Sequence, residues 1–400
     1  MAQELEEARR MADGGKAAQL RLLFCGVGVF PTAVSRTCAA LKSYPHILVD
    51  CLPLDEIAEK IHEYDMCVCR MGNLDRKTLL KASRLKLITQ FGMGLERVDV
   101  ETATEMGIKV GRIPSDSTGN ALSCAEHAIF LMLSLLRDQK GLTKSVQEGS
   151  LGIPEGRTLF GCKVLIVGYG NIGKELAPRL KAFGVRVLAV RPSWNQMYPI
   201  AAGSENVMKH SLVSNGTIPM DDFVDEKGGM EHLHEFLSRS DIVVLCCTQS
   251  PKTVGMVNED FLASMKMVEI SSPSDVSISR SLCILFPWLP VDKHSATGGV
   301  LSVVYNPGAL LVNVARGGLM DYTAVSEALK SGHLGGLATD VTWVEPIDPK
   351  DPIVHLPNVV VTPHVAGVTE YSYLQMGQLV ADAALQLYDG KEITGLEFVN

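Results

Sequence analysis

The sequence predicts an α/β fold with parallel sheets, shared between two domains. From Leu20 onwards, short apolar runs alternate with helical stretches, which is typical of parallel strands joined by helices. A chain of 400 residues with 46% hydrophobic content is long enough to bury two cores. In the middle of the chain a glycine-rich turn, Gly168–Gly173, stands between an apolar strand and a helix, and it indicates where the second domain begins.

The first domain is predicted from the strand–helix alternation before the middle of the chain. A helix is expected around Ser35–Leu41, and a long apolar helix over Ala121–Arg137 leads into the second domain. The predicted strands are Leu20–Cys25, Ile47–Leu52, Met66–Arg70, Leu85–Gln90 and Ile108–Val110.

The second domain is predicted to open with the strand Lys163–Val167, whose continuous apolar run indicates burial on both faces. A helix over Lys174–Phe183 and a strand over Val185–Val190 follow, and the polar stretch Asn195–Lys227 is interpreted as an extended surface loop. The remaining predicted strands are Asp241–Cys246, Leu310–Val314, Leu337–Asp340 and Val359–Thr362.

The turn Gly168-Tyr169-Gly170-Asn171-Ile172-Gly173 has the GxGxxG spacing of dinucleotide-binding turns. In such turns the glycines permit a tight bend, a close approach of the backbone to a pyrophosphate, and close packing of helix on strand. A glycine-rich turn without a ligand is the alternative. The order strand, turn, helix, strand favours the dinucleotide.

Three polar groups follow predicted strands late in the chain. Arg316 can grip a carboxylate with two parallel hydrogen bonds, and His364 backed by Glu345 can hold and deliver a proton near neutral pH. Carboxyl ends of parallel strands meet at one edge of a sheet, so these groups are expected to converge. Beside a bound nicotinamide they would suffice to reduce a 2-keto acid. The alternative, a structural Arg–Glu pair and a core histidine, accounts poorly for the joint pattern.

Composition excludes several other classes of protein. A net charge of −8 and a pI of about 5.7 show no excess of positive charge of the kind that nucleic-acid-binding proteins carry. The closest pairs among the ten cysteines, Cys67/Cys69 and Cys246/Cys247, lie in apolar strands, which predicts reduced buried thiols and no metal site. Ala128–Leu136 is too short to span a membrane, and the charged Met1–Lys16 lacks a secretory pattern, so a cytoplasmic protein is expected.

With these features the chain resembles the D-isomer-specific 2-hydroxyacid dehydrogenase family, which includes hydroxypyruvate or glyoxylate reductases and phosphoglycerate dehydrogenases. The resemblance rests on Leu85–Ile88, the Gly92–Gly94 loop with Asp99, Ala125–His127, the glycine turn, and the segments around Arg316, Glu345 and His364.

The resemblance implies two Rossmann-like domains, with a nucleotide-binding domain inserted in a flavodoxin-like substrate domain. The substrate domain would comprise residues 17–138 and 367–400, and the NAD(P)-binding domain residues 139–366. A cleft that opens and closes on two hinges and a homodimer are expected by the same analogy.

The resemblance also implies roles for individual residues. His364 would act as the general acid, Glu345 would orient its imidazole, and Arg316 would bind the substrate carboxylate. Further substrate contacts are expected from the backbone amides of Gly92, Met93 and Gly94, and Asp340 is expected near the nicotinamide carboxamide. The cofactor-binding residues implied are Gly168, Gly170, Asn171, Ile172, Gly173, Arg191, Thr248 and Asp340.

The end of the second strand of the nucleotide domain departs from the NAD pattern. NAD enzymes usually carry an acidic residue there for the ribose hydroxyls, whereas Arg191 follows Val190 in this chain. A guanidinium favours a 2′-phosphate, so NADP(H) is the preferred cofactor and NAD(H) the alternative, in which Arg191 is an ordinary surface residue.

A second departure is the segment Met267–Asn306, a serine-rich and then apolar stretch without regular periodicity. In the family, Phe261–Lys266 runs almost directly into Pro307–Asn313. We interpret the segment as a translated intron or an annotation artefact; if it is translated, it can be looped out at low cost because loop-closure entropy rises slowly with length.

Two other functions remain open from the sequence. A phosphoglycerate dehydrogenase is disfavoured because few residues follow His364, too few for an appended regulatory domain. A catalytically weak NAD(P)-sensing scaffold of the same fold would bind dinucleotide tightly and reduce substrates poorly.

Overall fold

The computed structural model describes residues 19–70, 72–92, 94–195, 223–267 and 308–400. Within them the chain forms two compact units: the first holds the residues up to Ser123 and from Gly367 onwards, and the second those between Cys124 and Ala366. The second unit is therefore inserted in the chain of the first. The division falls within a helix and precedes the predicted boundary at residue 138, and the substrate-binding and nucleotide-binding roles of the units stay predictions.

Some of the segments considered above lie outside the described residues. These are Met1–Lys16, Met93, residues 196–222 of the polar stretch, and residues 268–306 of the segment interpreted as an intron.

The first unit contains a sheet whose order confirms the predicted flavodoxin-like arrangement. Its parallel strands run in the order β2-β1-β3-β4-β5, and the short strand Glu397–Phe398 pairs antiparallel with β5 at the edge. The β3 segment Met-Cys-Val-Cys is apolar and buried throughout, as expected for a central parallel strand. The strands are β1 Leu20–Cys25, β2 Ile47–Leu52, β3 Met66–Cys69, β4 Leu87–Gln90 and β5 Lys109–Arg112.

Helices cover this sheet, and a glycine sets the closest approach between two of them. A Cβ at Gly377 in the last helix, Glu370–Tyr388, would lie 2.6 Å from the carbonyl oxygen of Ala33. The hydroxyl of Thr37 donates to the Gly377 carbonyl at 2.8 Å, which locks the crossing. The other helices of this unit are α1 Pro31–Leu41, α2 Ile57–Lys60, α3 Arg76–Leu79 and α4 Val100–Glu105. The next helix, α5 Asn120–Leu136, contains the division between the units, and from Ala125 onwards its apolar side chains pack in a core of the second unit.

The second unit contains a parallel sheet in the order β8-β7-β6-β9-β10-β11-β12. This is the Rossmann order 3-2-1-4-5-6 with one more strand, so the predicted fold class is confirmed. The strands are β6 Lys163–Val167, β7 Arg186–Val190, β8 Glu226–Gly228, β9 Ile242–Leu245, β10 Leu310–Asn313, β11 Gly336–Thr339 and β12 Val359–Val361.

The strand β8 corrects one expectation. Glu226 and Lys227 were assigned to a surface loop, yet they pair in parallel with Leu188 and Ala189 of β7. The sequence Glu-Lys-Gly carries no apolar alternation, because this edge strand is held by its backbone pairing and not by a buried face.

Apolar side chains from both faces of the second sheet form two cores, one on each side. Helix α7 buries Gly173, Leu176, Ala177 and Leu180 against one face, which is the spacing of an amphipathic helix. The helices of this unit are α6 Gln139–Gln147, α7 Asn171–Ala182, α8 Leu233–Arg239, α9 Glu259–Ala263 and α10 Tyr322–Ser331. Throughout the described part of the chain, every helix is too short or too polar to cross a membrane.

The two described flanks of residues 268–307 meet each other. The amide of Ala309 donates to the carbonyl of Lys266 at 3.1 Å, and the next residue, Leu310, enters β10. If residues 268–307 were removed, Lys266-Met267-Gly308-Ala309 would be four consecutive residues joined by the i to i+3 hydrogen bond of a β-turn. The described structure on both sides of residues 268–307 is therefore compatible with a direct connection from Met267 to Gly308.

We predict that a chain lacking residues 268–307 folds and binds dinucleotide. Replacing a long connection by a turn lowers the entropy of the unfolded chain, which stabilises the fold by on the order of 2 kcal/mol. Thermal and urea unfolding of the shortened and full-length chains measure the change. A chain in which a Gly/Ser linker of equal length replaces residues 268–307 is the control, and an insoluble shortened chain beside a well-folded linker chain would contradict the prediction.

Candidate active site

Three neighbouring strands of the second sheet position the predicted catalytic residues. Arg316 follows β10, Glu345 follows β11 and His364 follows β12, each just beyond the carboxyl end of its strand. Because these strands are parallel and adjacent, their following loops emerge at the same edge of the sheet.

The loop that carries Arg316 is fixed by the side chain of Asn313, which is fully buried at the end of β10. Its Oδ1 accepts from the Ala315 amide at 2.9 Å, and its Nδ2 donates to the Arg316 carbonyl at 2.9 Å. The next residue, Gly317, packs on the loop that carries Glu345, since a Cβ there would lie 2.0 Å from the carbonyl oxygen of Thr342. Glycine at this position thus allows the two loops to touch.

The Glu345 loop is closed by local hydrogen bonds. The amide of Thr342 donates to Glu345 Oε1 at 3.2 Å, and the Thr342 hydroxyl donates to the Val344 carbonyl at 2.8 Å. The indole of Trp343 donates to the Met320 carbonyl at 2.6 Å, which ties this loop to the segment after Arg316.

The imidazole of His364 lies against Glu345. Its Nδ1 is 2.9 Å from Glu345 Oε2, and the two side chains are 31% and 23% exposed, so the pair is only partly shielded from water. His364 has a φ of +56°, a left-handed conformation that side-chain-bearing residues rarely adopt. Its amide donates to the Asp340 carbonyl at 2.7 Å, a bond that helps to hold this conformation.

Glu345 is charged in this arrangement. Burial raises the pKa of its carboxyl, but the hydrogen bond and charge of His364, the Thr342 amide and the charge of Arg316 outweigh burial and hold the pKa below its ordinary value. At neutral pH the Glu345 carboxylate is therefore negatively charged and interacts with the imidazole of His364 and with the positive charge of Arg316.

Asp340 clamps the segment that bears His364. The residue is 1% exposed, and its Oδ1 accepts from the Thr362 hydroxyl at 2.6 Å and the Val365 amide at 2.8 Å. Its Oδ2 accepts from the Ala366 amide at 2.8 Å. Burial raises the pKa of Asp340, but hydrogen bonds from His127, Thr362 and the two amides more than compensate and lower it.

The clamp was not anticipated from the sequence, which assigned Asp340 to the nicotinamide carboxamide. That contact stays a prediction. The available signal was the register of the sheet: Thr339 pairs with Val361, so Asp340 and Thr362 come next to each other at adjacent strand ends.

The glycine turn has the geometry that a dinucleotide requires. Gly168 has a φ of +97°, and a Cβ there would lie 2.5 Å from the amide nitrogen of Cys247. At Gly173 a Cβ would meet the Gly168 carbonyl at 3.1 Å, so this glycine serves the packing of helix on strand. At Gly170 a Cβ would meet nothing within 4 Å, which leaves open space beside the backbone.

Gly170 is also the residue before α7, whose first residues are Asn171 and Ile172. The N-terminus of a helix offers amide donors and a positive dipole end to a pyrophosphate. The open face of Gly170 beside such a terminus fits a dinucleotide, and the roles of the three glycines match those of a dinucleotide-binding turn.

Arg191 lies directly after β7. Its guanidinium carbon is 5.6 Å from the ring centre of Trp194, and its Nε donates to the hydroxyl of Ser193. The backbone amide of Arg191 donates to the Gly228 carbonyl of β8 at 3.1 Å, so the residue sits at a paired strand end. Thr248, the other predicted cofactor contact, is exposed in the segment after β9.

The predicted substrate loop lies in the first unit. Gly92 follows the end of β4 with a φ of +118°, where glycine is favoured, and Gly94 is described two residues later. Met93 is outside the described residues. The substrate contacts of this loop stay predictions, whereas Arg316, Glu345 and His364 are brought together within the second unit. In the described ranges, no three His, Cys, Asp or Glu side chains form a group suited to a metal ion.

Comparison with known proteins identifies the family. The sequence profile of "D-isomer specific 2-hydroxyacid dehydrogenase, NAD binding domain" matches residues 129–213, 205–270 and 281–366. The chain belongs to this family. A nicotinamide dinucleotide is accordingly its cofactor. Residues 271–280 fall between two of the matched ranges, and the interpretation of Met267–Asn306 as an atypical insertion stays a prediction.

Individual relatives agree with this assignment. The chain is 30% identical to a D-3-phosphoglycerate dehydrogenase of Methanocaldococcus jannaschii over 85% of its own length and 53% of the relative. It is 28% identical to a glyoxylate reductase of Pyrococcus furiosus over 82% of its length and 81% of the relative. The chain thus spans about half the length of the first of these.

A solved structure shares the fold. The pyruvate reductase of Chlamydomonas reinhardtii matches 94% of this chain and 99% of its own with a TM-score of 0.67 and 23% identity.

Proposed function

We propose that the chain is an oxidoreductase that interconverts a small 2-keto acid and the corresponding 2-hydroxy acid with a nicotinamide dinucleotide. The observation that carries this proposal is the 2.9 Å contact between His364 Nδ1 and Glu345 Oε2 within the charge field of Arg316. Membership of the 2-hydroxyacid dehydrogenase family supports it.

Each of the three side chains has a distinct role in the proposed reaction. The dinucleotide, when bound, supplies or accepts a hydride. Arg316 binds the substrate carboxylate through two parallel hydrogen bonds and polarises the neighbouring carbonyl. His364 holds a proton at Nε2 and gives it to the keto oxygen in reduction, or takes it back from the hydroxyl in oxidation.

Glu345 holds the imidazole in this reaction. Its carboxylate accepts the Nδ1 proton of His364, which fixes the ring orientation and stabilises the protonated imidazole. Because the pKa of Glu345 is lowered, its carboxylate is ionised at neutral pH.

For the substrate we propose hydroxypyruvate or glyoxylate. The likeness to a glyoxylate reductase over most of both chains supports this choice. A phosphoglycerate-type substrate is the second candidate, because relatives of comparable identity carry the name D-3-phosphoglycerate dehydrogenase.

We predict that His364→Gln lowers kcat for reduction by about a hundredfold or more, since the proton donor is lost. Arg316→Lys should mainly raise KM, because an ammonium cannot form the paired bonds to a carboxylate. Absorbance of the reduced cofactor at varied concentrations of glyoxylate, hydroxypyruvate and 3-phosphohydroxypyruvate separates the two constants and ranks the substrates.

Glu345→Gln should lower kcat for reduction by about tenfold or more, because a misplaced catalytic group transfers its proton poorly. A neutral amide accepts the Nδ1 proton of His364 less strongly than a carboxylate does, so the imidazole is held less firmly. Glu327→Gln, at an exposed position of α10, is the control and should behave as the unmodified chain. Full activity in His364→Gln would refute the assigned roles.

We propose that NADP(H) is the preferred cofactor. Arg191 at the end of β7 supplies a guanidinium where a 2′-phosphate is held in NADP enzymes, and Arg191–Asn195 includes no carboxylate to accept from ribose hydroxyls. The nearby Trp194 ring supports the guanidinium by a cation–π contact at 5.6 Å.

We predict tighter binding of NADPH than of NADH, by about tenfold or more, since Arg191 gains a charge-assisted bond to the phosphate. Arg191→Gln should remove most of this preference and leave NADH binding almost unchanged. Fluorescence titration of both reduced cofactors measures the constants without turnover. Arg186→Gln, at the opposite end of the same strand, is the matched control; equal or tighter NADH binding by the unmodified chain would contradict the proposal.

We propose that the chain forms a homodimer through an apolar face of the second unit. A groove of about 690 Å³ is lined by Ile129, Phe130, Leu133, Leu142 and Phe183 among other residues. Phe130, Leu142 and Phe183 are each more than 40% exposed. Apolar clusters of this kind commonly mark an interface, and a second copy offers the same face for a symmetric contact.

Phe130→Glu should convert the dimer to a monomer, because a carboxylate would be buried without a partner at the interface. Light scattering after size exclusion gives the mass directly. Tyr44→Glu in the first unit is the control, since both aromatic side chains are 44% exposed. A monomeric unmodified chain, or a dimer that survives Phe130→Glu, would argue against this face.

We also propose a cytoplasmic location. The nine cysteines in the described residues are free thiols, and Cys67 and Cys69 are buried in β3 as predicted. Cys246 and Cys247 were also predicted to be buried in a strand, but they follow the end of β9 and are only partly buried. Reduced thiols are the rule in that compartment.

A further inference from the structure

We propose that His127 is a positioning residue for proton transfer by His364, acting through Thr362 and Asp340. The inference rests on the proposed function, because it assigns His364 the role of proton donor. His127 lies on α5, far from the catalytic segments in sequence, and its side chain is 16% exposed.

The contact between His127 and the clamp is direct. The Nε2 atom of His127 is 2.9 Å from the hydroxyl oxygen of Thr362 and 3.4 Å from Oδ1 of Asp340. The Thr362 hydroxyl is in turn 2.6 Å from the same carboxylate oxygen. The three side chains therefore form a closed triangle between α5, which carries His127, and the adjacent ends of β11 and β12, which carry Asp340 and Thr362.

Proton counting gives the direction of these bonds. A carboxylate oxygen only accepts, so the single proton of the Thr362 hydroxyl goes to Asp340. The hydroxyl oxygen must then accept from His127, which places a proton on Nε2 of that ring. His127 is thus the terminal donor of a chain of hydrogen bonds that ends on the buried carboxylate.

The Asp340 carboxylate, which His127 and Thr362 hold in place, in turn fixes the backbone around His364. Asp340 binds the amides of Val365 and Ala366 through its side chain and the amide of His364 through its carbonyl. The left-handed backbone of His364 is intrinsically disfavoured and persists only when its surroundings hold it. Loss of the His127 donor would loosen the triangle and let the imidazole drift from Glu345.

A purely structural role for His127 makes a different prediction. If the triangle only tied the end of β12 to α5, its loss would lower stability without a selective effect on the chemical step. Misplacement of a catalytic group by about 1 Å can cost up to a hundredfold in rate, so a positioning role should be visible in kcat.

The first experiment compares His127→Leu with His127→Gln. Leucine removes the donor, whereas the amide of glutamine can donate near the position of Nε2. We expect His127→Leu to lower kcat about tenfold or more, with KM and the dissociation constant of NADPH changed less than about twofold. His127→Gln should recover most of the rate. His234→Leu, on the exposed face of α8, is the matched control.

The second experiment tests whether the effects share one network. Thr362→Val should resemble His127→Leu, and Thr362→Ser should retain activity. If His127 acts through Thr362, the double variant His127→Leu/Thr362→Val should be no slower than Thr362→Val alone, whereas independent effects would multiply. If His127→Leu fails to fold, the comparison of Thr362→Val with Thr362→Ser still tests the positioning role.

A spectroscopic readout separates this inference from the proposed function. The Nδ1 proton between His364 and Glu345 should give a downfield proton NMR signal, assigned by its loss in His364→Gln. We expect the signal to broaden in His127→Leu and to persist in His127→Gln. If the unmodified chain reduces no 2-keto acid yet shows this pattern, the proposed function fails and the positioning role stands. An unchanged signal and rate in His127→Leu would overturn the positioning role.

Discussion

The parallel pairing of β10, β11 and β12 is the constraint on which the active site depends. Asn313, Thr339 and Val361 occupy matching ends of these strands, so the residues that follow them are delivered to one edge. The pairing thereby brings together groups that are separated by about 30 and 20 residues in the chain. The side chains added to that edge then determine its chemistry.

At this edge two carboxylates serve different purposes because their surroundings differ. Asp340 is almost fully buried and accepts hydrogen bonds from donors of its own unit, two of which are backbone amides, so its carboxylate holds the backbone beside His364. Glu345 is partly exposed and faces one imidazole. Burial of a charge is costly unless the charge is hydrogen-bonded, and Asp340 accepts from the Thr362 hydroxyl and from the amides of Val365 and Ala366.

The fold and the convergence of Arg316, Glu345 and His364 at one edge of the sheet could be predicted from the sequence, whereas the hydrogen bonds that fix their loops could not. Arg316, Glu345 and His364 stand in short signatures after apolar strands, where periodicity locates them. The strand Glu226–Gly228 has no such signal, because its backbone pairing alone defines it. The register of the sheet places Asp340 beside Thr362. Their contact with His127 depends on where α5 packs, which the sequence does not show.

The hydrogen bond between Lys266 and Ala309 has a practical consequence. Whatever lies between these two residues, the sheet requires only that they stay within hydrogen-bonding distance of each other. A connection of that kind is a natural acceptor for foreign sequence, since a folded guest with neighbouring termini would impose little strain on its host. The junction could therefore carry a fluorescent reporter or an affinity domain in the interior of the chain.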